Sequence, residues 1–318
     1  MLNSPHLLLA FATFFWAANI VIGKAASVGI VPPFTLSYFR WVIAILCLAP
    51  FVWRRALATW PILRPHWKFV LFLALISVTA YNSLQYWALH RTAAINASVV
   101  SSSMPATMFL LTWLFGQERA NRLQWLGLGT VTTGVLVIAV RGSFDNLIGL
   151  QFNLGDLAVF VAVICWCLYS VLMRRLPPET DRLGLLLILM IMGMVCTVPL
   201  FAWEAATTEL PPITWNMIAI LLYVGIFPSI VSYICWNRAL VLGGANLAGI
   251  MNNLMVVFTT ILAIVFLGES LDVHQIVGIA LVGLGIYLAT ILGRARTPAA
   301  PAAPVAPVAP AATAKVEK

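Results

Sequence analysis

Charge is what this chain has least of. Only 9% of its 318 residues are Asp, Glu, Lys or Arg, and a soluble fold of that length would need far more to cover its surface. A soluble protein is thereby excluded. The acidic residues lie between apolar runs or at their ends, so no carboxylate stands mid-run to carry protons or cations. Histidine is sparing too: His6, His66, His90 and His274 fall at termini, in loops or at run ends, and no His-Glu-x-x-His pattern occurs. An intramembrane hydrolase or acyltransferase would need a nucleophile and base, or metal ligands, at reachable depth, and these are wanting. The cysteines Cys47, Cys165, Cys167, Cys196 and Cys235 all sit inside apolar runs as small packing residues. Cys165 and Cys167 are spaced like a redox or metal pair but have no histidine near them. No metal, no cofactor and no enzymatic activity are expected. The first apolar run lacks a basic region before it and a small-residue cleavage site behind it, so it reads as a retained helix.

What fills the chain instead is hydrocarbon: 62% of residues are hydrophobic and the mean hydropathy is +0.99. Runs of about 20 apolar residues, enough to cross a hydrocarbon layer roughly 30 Å thick, recur from end to end. They predict an all-α membrane protein with ten transmembrane helices, at 7–26, 34–53, 69–89, 95–116, 123–140, 155–173, 183–203, 214–236, 246–267 and 273–292. With the N-terminus cytoplasmic, the loops and tail on that side hold Arg54, Arg55, Arg64, Lys68, Arg119, Arg122, Arg174, Arg175, Arg182, Arg238, Arg294, Arg296, Lys315 and Lys318. The opposite side holds Lys24, Arg91 and Arg141. This asymmetry predicts a multi-pass protein of the cell inner membrane with both termini cytoplasmic. It also accounts for the +8 net charge, so the lipid bilayer is the expected partner and nucleic acid is not. Residues 294–318, Pro/Ala-rich, are expected to form a disordered cytoplasmic tail.

The chain also repeats itself. One offset lays 88–134 on 239–285 without a gap, matching Ala88 with Ala239, Met104 with Met255, Phe115 with Phe266, Glu118 with Glu269, Gln124 with Gln275 and Gly134 with Gly285. Neighbouring offsets match Trp16 with Trp166, Ala12 with Ala162 and Cys47 with Cys196. Matched leucines mean little in so apolar a chain; matched Trp, Glu and Gln at consistent spacing do not arise from composition. Each repeat, 1–145 and 150–293, holds five spans, an odd number, so the second must cross the membrane in the opposite sense. Charge agrees, because the loop after Glu118 carries Arg119 and Arg122 whereas the loop after Glu269 carries Ser270, Val273 and His274. Two inverted halves can exchange shapes and open a central site to either side in turn, which is the architecture of a secondary transporter.

Two five-span repeats, with "SSSMPATMFLLTWLFGQE" and "NNLMVVFTTILAIVFLGES" each ending a fourth span in an acidic residue, resemble the drug/metabolite transporter superfamily and, within it, the EamA-type transporters. The segments "FFWAANIVIGKAA" and "SYFRWVIAI" are similar to those of bacterial amino-acid exporters of that group, including the aromatic amino-acid exporters. The resemblance covers everything but the tail. It implies a secondary transporter exporting neutral amino acids, with another small metabolite or drug as the alternative cargo, and it makes Glu118 and Glu269 architectural. One departure is that Pro105 has Val256 as its counterpart, so a kink confined to the first half, with unequal gates, is expected.

Polar groups within the spans supply the candidate site for a small zwitterion. Pro105 has no amide hydrogen, so the carbonyl of Ser101 loses its helical partner and the neighbouring hydroxyls can serve freed backbone groups. Ser101 and Ser102 correspond to Asn252 and Asn253, and because their spans start from opposite sides the two pairs bracket the bilayer centre. Residues three or four apart share a helix face, which groups Trp16 with Asn19, Tyr81 and Asn82 with Gln85, Trp166 with Tyr169, and Tyr233 with Trp236 and Asn237. Arg40 lies about a turn and a half into the second span, either snorkelling to water or meeting a substrate carboxylate. Lys24 and His90, near the outer ends, are candidate gate residues or simply interfacial, and Asp156 reads as interfacial. Lacking a mid-span acid, the chain is not expected to couple proton entry to the export of cationic drugs.

Overall fold

The structure, a computed structural model, describes residues 4–27, 31–115, 122–140, 153–236, 238–239, 242 and 251–288. Glu118, Arg141, Asn237 and the Pro/Ala-rich tail lie outside these. The described residues are helical, with no strand among them.

Helices α1 (Pro5–Ala26) and α2 (Pro33–Leu63) both start on a proline, whose missing N–H costs nothing in a first turn. The 31 residues of α2 run past the predicted end at 53, so Arg54 and Arg55 are helical rather than in a loop. A helix that leaves hydrocarbon keeps its internal backbone bonds in water, and Pro50 and Pro61 are accommodated without ending it. A 3₁₀ turn at Arg64–His66 leads into α3 (Trp67–Ala74), a π-helical segment at Leu75–Ala80, and α4 (Tyr81–Leu89). Helices α5 (Ala94–Ser101) and α6 (Met104–Leu114) are parted by Ser102 and Ser103, and α7 covers Arg122–Ala139.

In the second half, polar caps start the helices. Asn153 accepts the Gly155 N–H at 2.8 Å before α8 (Leu154–Leu172), and Asp181 accepts that of Gly184 at 2.7 Å before α9 (Arg182–Thr207). Thr214 accepts the Met217 N–H at 3.2 Å before α10 (Trp215–Ile226), which passes into a second π-helical segment, Phe227–Val231. Helix α11 (Leu254–Leu267) ends at Gly268, whose φ of 66° suits a residue without Cβ, and α12 (Val273–Ile286) follows. By length and composition, five stretches among the described residues can cross a membrane: Pro5–Ala26, Pro33–Leu89, Leu154–Leu172, Arg182–Thr207 and Trp215–Trp236. Trp125–Ile138, Leu254–Leu267 and Val273–Gly285 are shorter apolar helices, so the tally of ten rests on the sequence.

Packing follows one plan in both halves. The broadest contacts join α2 to α9 and α7 to α12; α1 packs on α11 while α8 packs on α6; the first π segment packs on α8 while the second packs on α1. Exchanging each element for its counterpart in the other half maps this set of contacts onto itself. Small residues permit the closest crossing: a Cβ on Gly285 of α12 would lie 2.6 Å from the Gly127 carbonyl oxygen of α7. Large apolar side chains face outward, with Phe51 84% and Phe266 72% exposed, as lipid rather than water requires.

Candidate functional site

The two π-helical segments occupy equivalent places in the third spans of the two halves. A π turn throws carbonyls out of the α-helical ladder, and side chains collect them here. Asn82 Nδ2 donates to the carbonyls of Ser77 and Val78 at 3.1 and 2.9 Å. Ser229 Oγ donates to the Val224 carbonyl at 2.7 Å, and Trp16 Nε1 donates to that of Pro228 at 3.1 Å.

Between the two π segments lies Arg40, which does not snorkel. Its side chain is 4% exposed and turns inward, Nε donating to Ser229 Oγ at 2.6 Å and Nη1 to Asn82 Oδ1 at 2.7 Å and Tyr86 Oη at 3.0 Å. Tyr86 in turn donates its hydroxyl to Asn19 Oδ1 at 2.8 Å. The guanidinium carbon sits 5.0 Å from the Trp41 ring centroid. Among the described residues no carboxylate reaches Arg40, and the ion pair they form is Arg55 with Asp181 at 2.5 Å, further along α2. Burying a cation beside neutral groups alone costs on the order of several kcal/mol.

Next to this polar network is an arc of aromatic rings. Trp16 meets Tyr233 at 6.1 Å between centroids, Tyr233 meets Trp166 at 5.8 Å, and Trp166 meets Tyr81 at 5.0 Å. Trp236 leans on Trp16 and Tyr169 on Trp166. Both ends of the arc are tied to Arg40 through neighbours in sequence. Trp16 is hydrogen-bonded to Pro228, adjacent to Ser229, and Tyr81 is adjacent to Asn82.

The polar breaks border the arc. Ser102 and Ser103 donate their hydroxyls to the Val99 and Val100 carbonyls, each at 2.6 Å, turning the chain between α5 and α6. Cys167, beside Trp166, donates weakly to the Met104 carbonyl at the start of α6, so it does more than pack. Pro105 stands in the first turn of α6, not at the break. The expected restriction of the kink to the first half is corrected: residues 251 and 252 are helical, Asn253 leaves the helix, and α11 restarts at Leu254. Val256 N–H donates to the Asn253 carbonyl at 3.1 Å, a tight turn of the kind Ser103 N–H makes with Val100. The interruption thus forms without proline. Buried polar atoms without a protein partner include Gln85 Oε1, Ser101 Oγ, Asn252 Nδ2 and Asn253 Oδ1.

At the end of the bundle where α2 begins, carboxylates of the second half hold helix starts of the first. Glu204 accepts the Phe34 and Thr35 N–H groups at 3.2 and 2.6 Å and the Thr35 hydroxyl at 2.8 Å. Glu269 accepts the Ala94 and Ile95 N–H groups at 2.7 and 3.1 Å. Lys24 Nζ donates to the Leu89 carbonyl at 2.9 Å, and His90 Nδ1 lies 3.0 Å from the Tyr86 carbonyl. Burial pushes the His90 imidazole below its ordinary pKa, against the Tyr86 contact and with help from Arg91. Asp156 in the first turn of α8 is 1% exposed and receives hydrogen bonds from Thr92 and, at 3.5 Å, Asn96. Lys24, Arg91, Asn96, Glu269 and His274 line a cavity of about 360 Å³ here, which the arc residues do not reach. At the other end, burial opposes the charge of Asp181, but the Gly184 amide and Arg55 outweigh it and hold the carboxyl below its usual range.

The candidates read from sequence therefore separate. Trp16, Tyr81, Trp166, Tyr169, Tyr233 and Trp236 form the arc; Asn19, Arg40 and Asn82 share the polar network. Gln85, Ser101, Asn252 and Asn253 offer free polar atoms, whereas Ser102 is spent on its own helix. Tyr86, Pro228 and Ser229 escaped notice. Tyr86 stands four residues after Asn82, and Pro228 with Ser229 interrupts an apolar run, signals of the same kind as those used elsewhere.

Residues 3–140 and 153–291 each match the family described as "EamA-like transporter family". The chain is 28% identical over 298 residues to an uncharacterized transporter of Archaeoglobus fulgidus, covering 91% of this chain and 98% of that protein. It is 24% identical over 320 residues to a WAT1-related protein of Arabidopsis thaliana, covering 92% and 84%. A crystal structure superposes with a TM-score of 0.63 at 18% identity, over 92% of this chain and all of the other, which supports the fold.

Proposed function

Because the chain belongs to the EamA-like transporter family, we propose that it exports neutral amino acids, bulky apolar and aromatic ones included, by alternating access across the cell inner membrane. The observation that carries this reading is the aromatic arc, together with buried polar atoms elsewhere in the bundle that lack partners. Indole and phenol faces suit an apolar side chain, while Gln85 Oε1, Ser101 Oγ and Asn253 Oδ1 can accept from an ammonium group. Matching π segments and helix breaks in the two halves support alternating access, since elements built alike can trade places about a shared centre. In this reading ten spans form two inverted repeats, 1–145 and 150–293, with both termini cytoplasmic and the cavity at Lys24 and Glu269 opening outward.

The decisive experiment is counterflow of labelled amino acids in proteoliposomes, with and without an imposed proton gradient. Saturable exchange of phenylalanine, leucine or related amino acids is expected, insensitive to the gradient. Absence of exchange across a broad amino-acid panel would refute the reading, and exchange of a different metabolite in the same vesicles would replace it. Replacing Trp16, Gln85, Trp166 or Asn253 is expected to lower exchange while membrane insertion persists; normal kinetics in all four variants would remove the site.

A further inference from the structure

Arg40 is a buried cation drawn into the arc's polar neighbourhood, and its hydrogen bonds within the described residues do not exhaust it. A guanidinium has five N–H donors. Three are taken, by Ser229, Asn82 and Tyr86, and those on Nη2 have no acceptor among the described residues. The acceptors in use are all neutral, and among the described residues no carboxylate pairs with this side chain, which is 4% exposed. If tying α2 to α4 and the second π segment were its whole purpose, a neutral donor would do it without the desolvation of a charge. The corresponding stretch of the second half carries Leu189 and Met190, so this charge has no twin.

We propose that Nη2 of Arg40 anchors an anionic group of the cargo, a carboxylate, and that this contact outweighs recognition of the amino group. The proposal rests on the transport reading above for the choice of cargo. The carboxylate meets a full positive charge in a site of low polarity, where a charge-assisted hydrogen bond is about twice as strong as a neutral one. The ammonium meets neutral acceptors only, on Gln85, Ser101 and Asn253, together with ring faces. The substrate class is therefore aryl or bulky alkyl carboxylates, of which amino acids are members, and a molecule that keeps the ammonium but lacks the carboxylate is rejected.

Three probes of one shape test this: phenylalanine, 3-phenylpropionate without the ammonium, and 2-phenylethylamine without the carboxylate. Each competes against labelled phenylalanine in counterflow on the full chain. Each is also titrated against intrinsic fluorescence, which Trp16 and Trp166 report from within the arc. For the wild type, 3-phenylpropionate is expected within about tenfold of phenylalanine and 2-phenylethylamine weaker by roughly tenfold to a hundredfold. Arg40→Lys, which keeps the charge and loses the fork, is expected to raise KM about tenfold with a smaller change in kcat, and Arg40→Gln to abolish the discrimination. A purely structural Arg40 would lower the amount of folded protein without changing the order of the probes. If the variants fail to fold, the wild-type order decides alone. Equal binding of the amine and the acid overturns the proposal. Binding of 3-phenylpropionate without exchange of any amino acid upholds the Arg40 anchor and refutes the amino-acid reading. Failure of both carboxylates to bind overturns the anchor.

Discussion

The two halves of the molecule share a skeleton and differ in chemistry. Each has a π-helical segment followed by a break in the next apolar run, at matching positions. The first half makes its break with serines and has a proline nearby; the second makes it with Asn253 and Val256. The first half places Arg40 between the π segments, where the second has Leu189 and Met190. Backbone irregularity is thus the shared property, and the polar groups exploiting it are free to differ. A carbonyl released from the helical ladder needs some donor, and Asn82, Ser229 and Trp16 each meet that need in their own way.

Trp16 and Trp166 are counterparts, and truncating them probes the comparison most severely. Trp166→Ala opens the arc between Tyr81 and Tyr233, and counterflow kcat/KM is expected to fall by more than about tenfold. Trp16→Ala, at the end of the arc, is expected to cost less, and the reverse order would show that the halves contribute differently. Two glycines come next. A Cβ on Gly193 would lie 2.3 Å from Val78 Cβ in the first π segment, and one on Gly225 would lie 2.6 Å from Ile43 Cγ2 beside the second. Gly193→Ala is expected to cost about 1–3 kcal/mol in unfolding of the detergent-solubilised protein, and Gly225→Ala less, because a methyl group yields more easily than a Cβ.

Glu269→Gln keeps a weaker acceptor for the Ala94 and Ile95 amides, so a loss of about 1 kcal/mol is expected in the same unfolding measurement. Pro105→Ala is expected to change stability by less than about 0.5 kcal/mol and to leave the break at Ser102 and Ser103 in place in a determined structure of the variant. A continuous α-helix through 101–104 in that structure would return the kink to the proline. The smallest effect is a pH dependence at His90. Its pKa is depressed in the folded protein by burial, so the folded state binds its proton less readily than the unfolded chain. The contribution is complete above the ordinary histidine pKa and is lost as pH falls through the lowered one, so His90→Gln is expected to flatten stability on the acid side of about pH 6.5.

Much of the site was legible because residue type survives folding. Trp16 and Trp166 matched across the repeat, and the spacings of Tyr81, Trp166 and Tyr233 placed them on helix faces that do meet. Arg40 could be read two ways from sequence, since a long side chain near a helix end reaches water or core with equal ease; its neighbours on α4 and the second π segment settle which. The π segments were not legible, because an extra residue in a turn adds no residue type of its own to the sequence. The partners of Asp156 were not legible for a related reason: Thr92 and Asn96, distant in sequence, reach its carboxylate only in the folded chain.

The sequence by itself determined that this is a helical membrane protein built from two related halves. Scarcity of charge, the length of apolar runs and the repetition of Trp, Glu and Gln are properties of the chain alone. Only the tertiary structure decided that Arg40 turns inward with donors to spare and that both halves break although only one has a proline nearby. Those outcomes depend on which groups lie within hydrogen-bond reach across helices, and a one-dimensional pattern does not contain that distance.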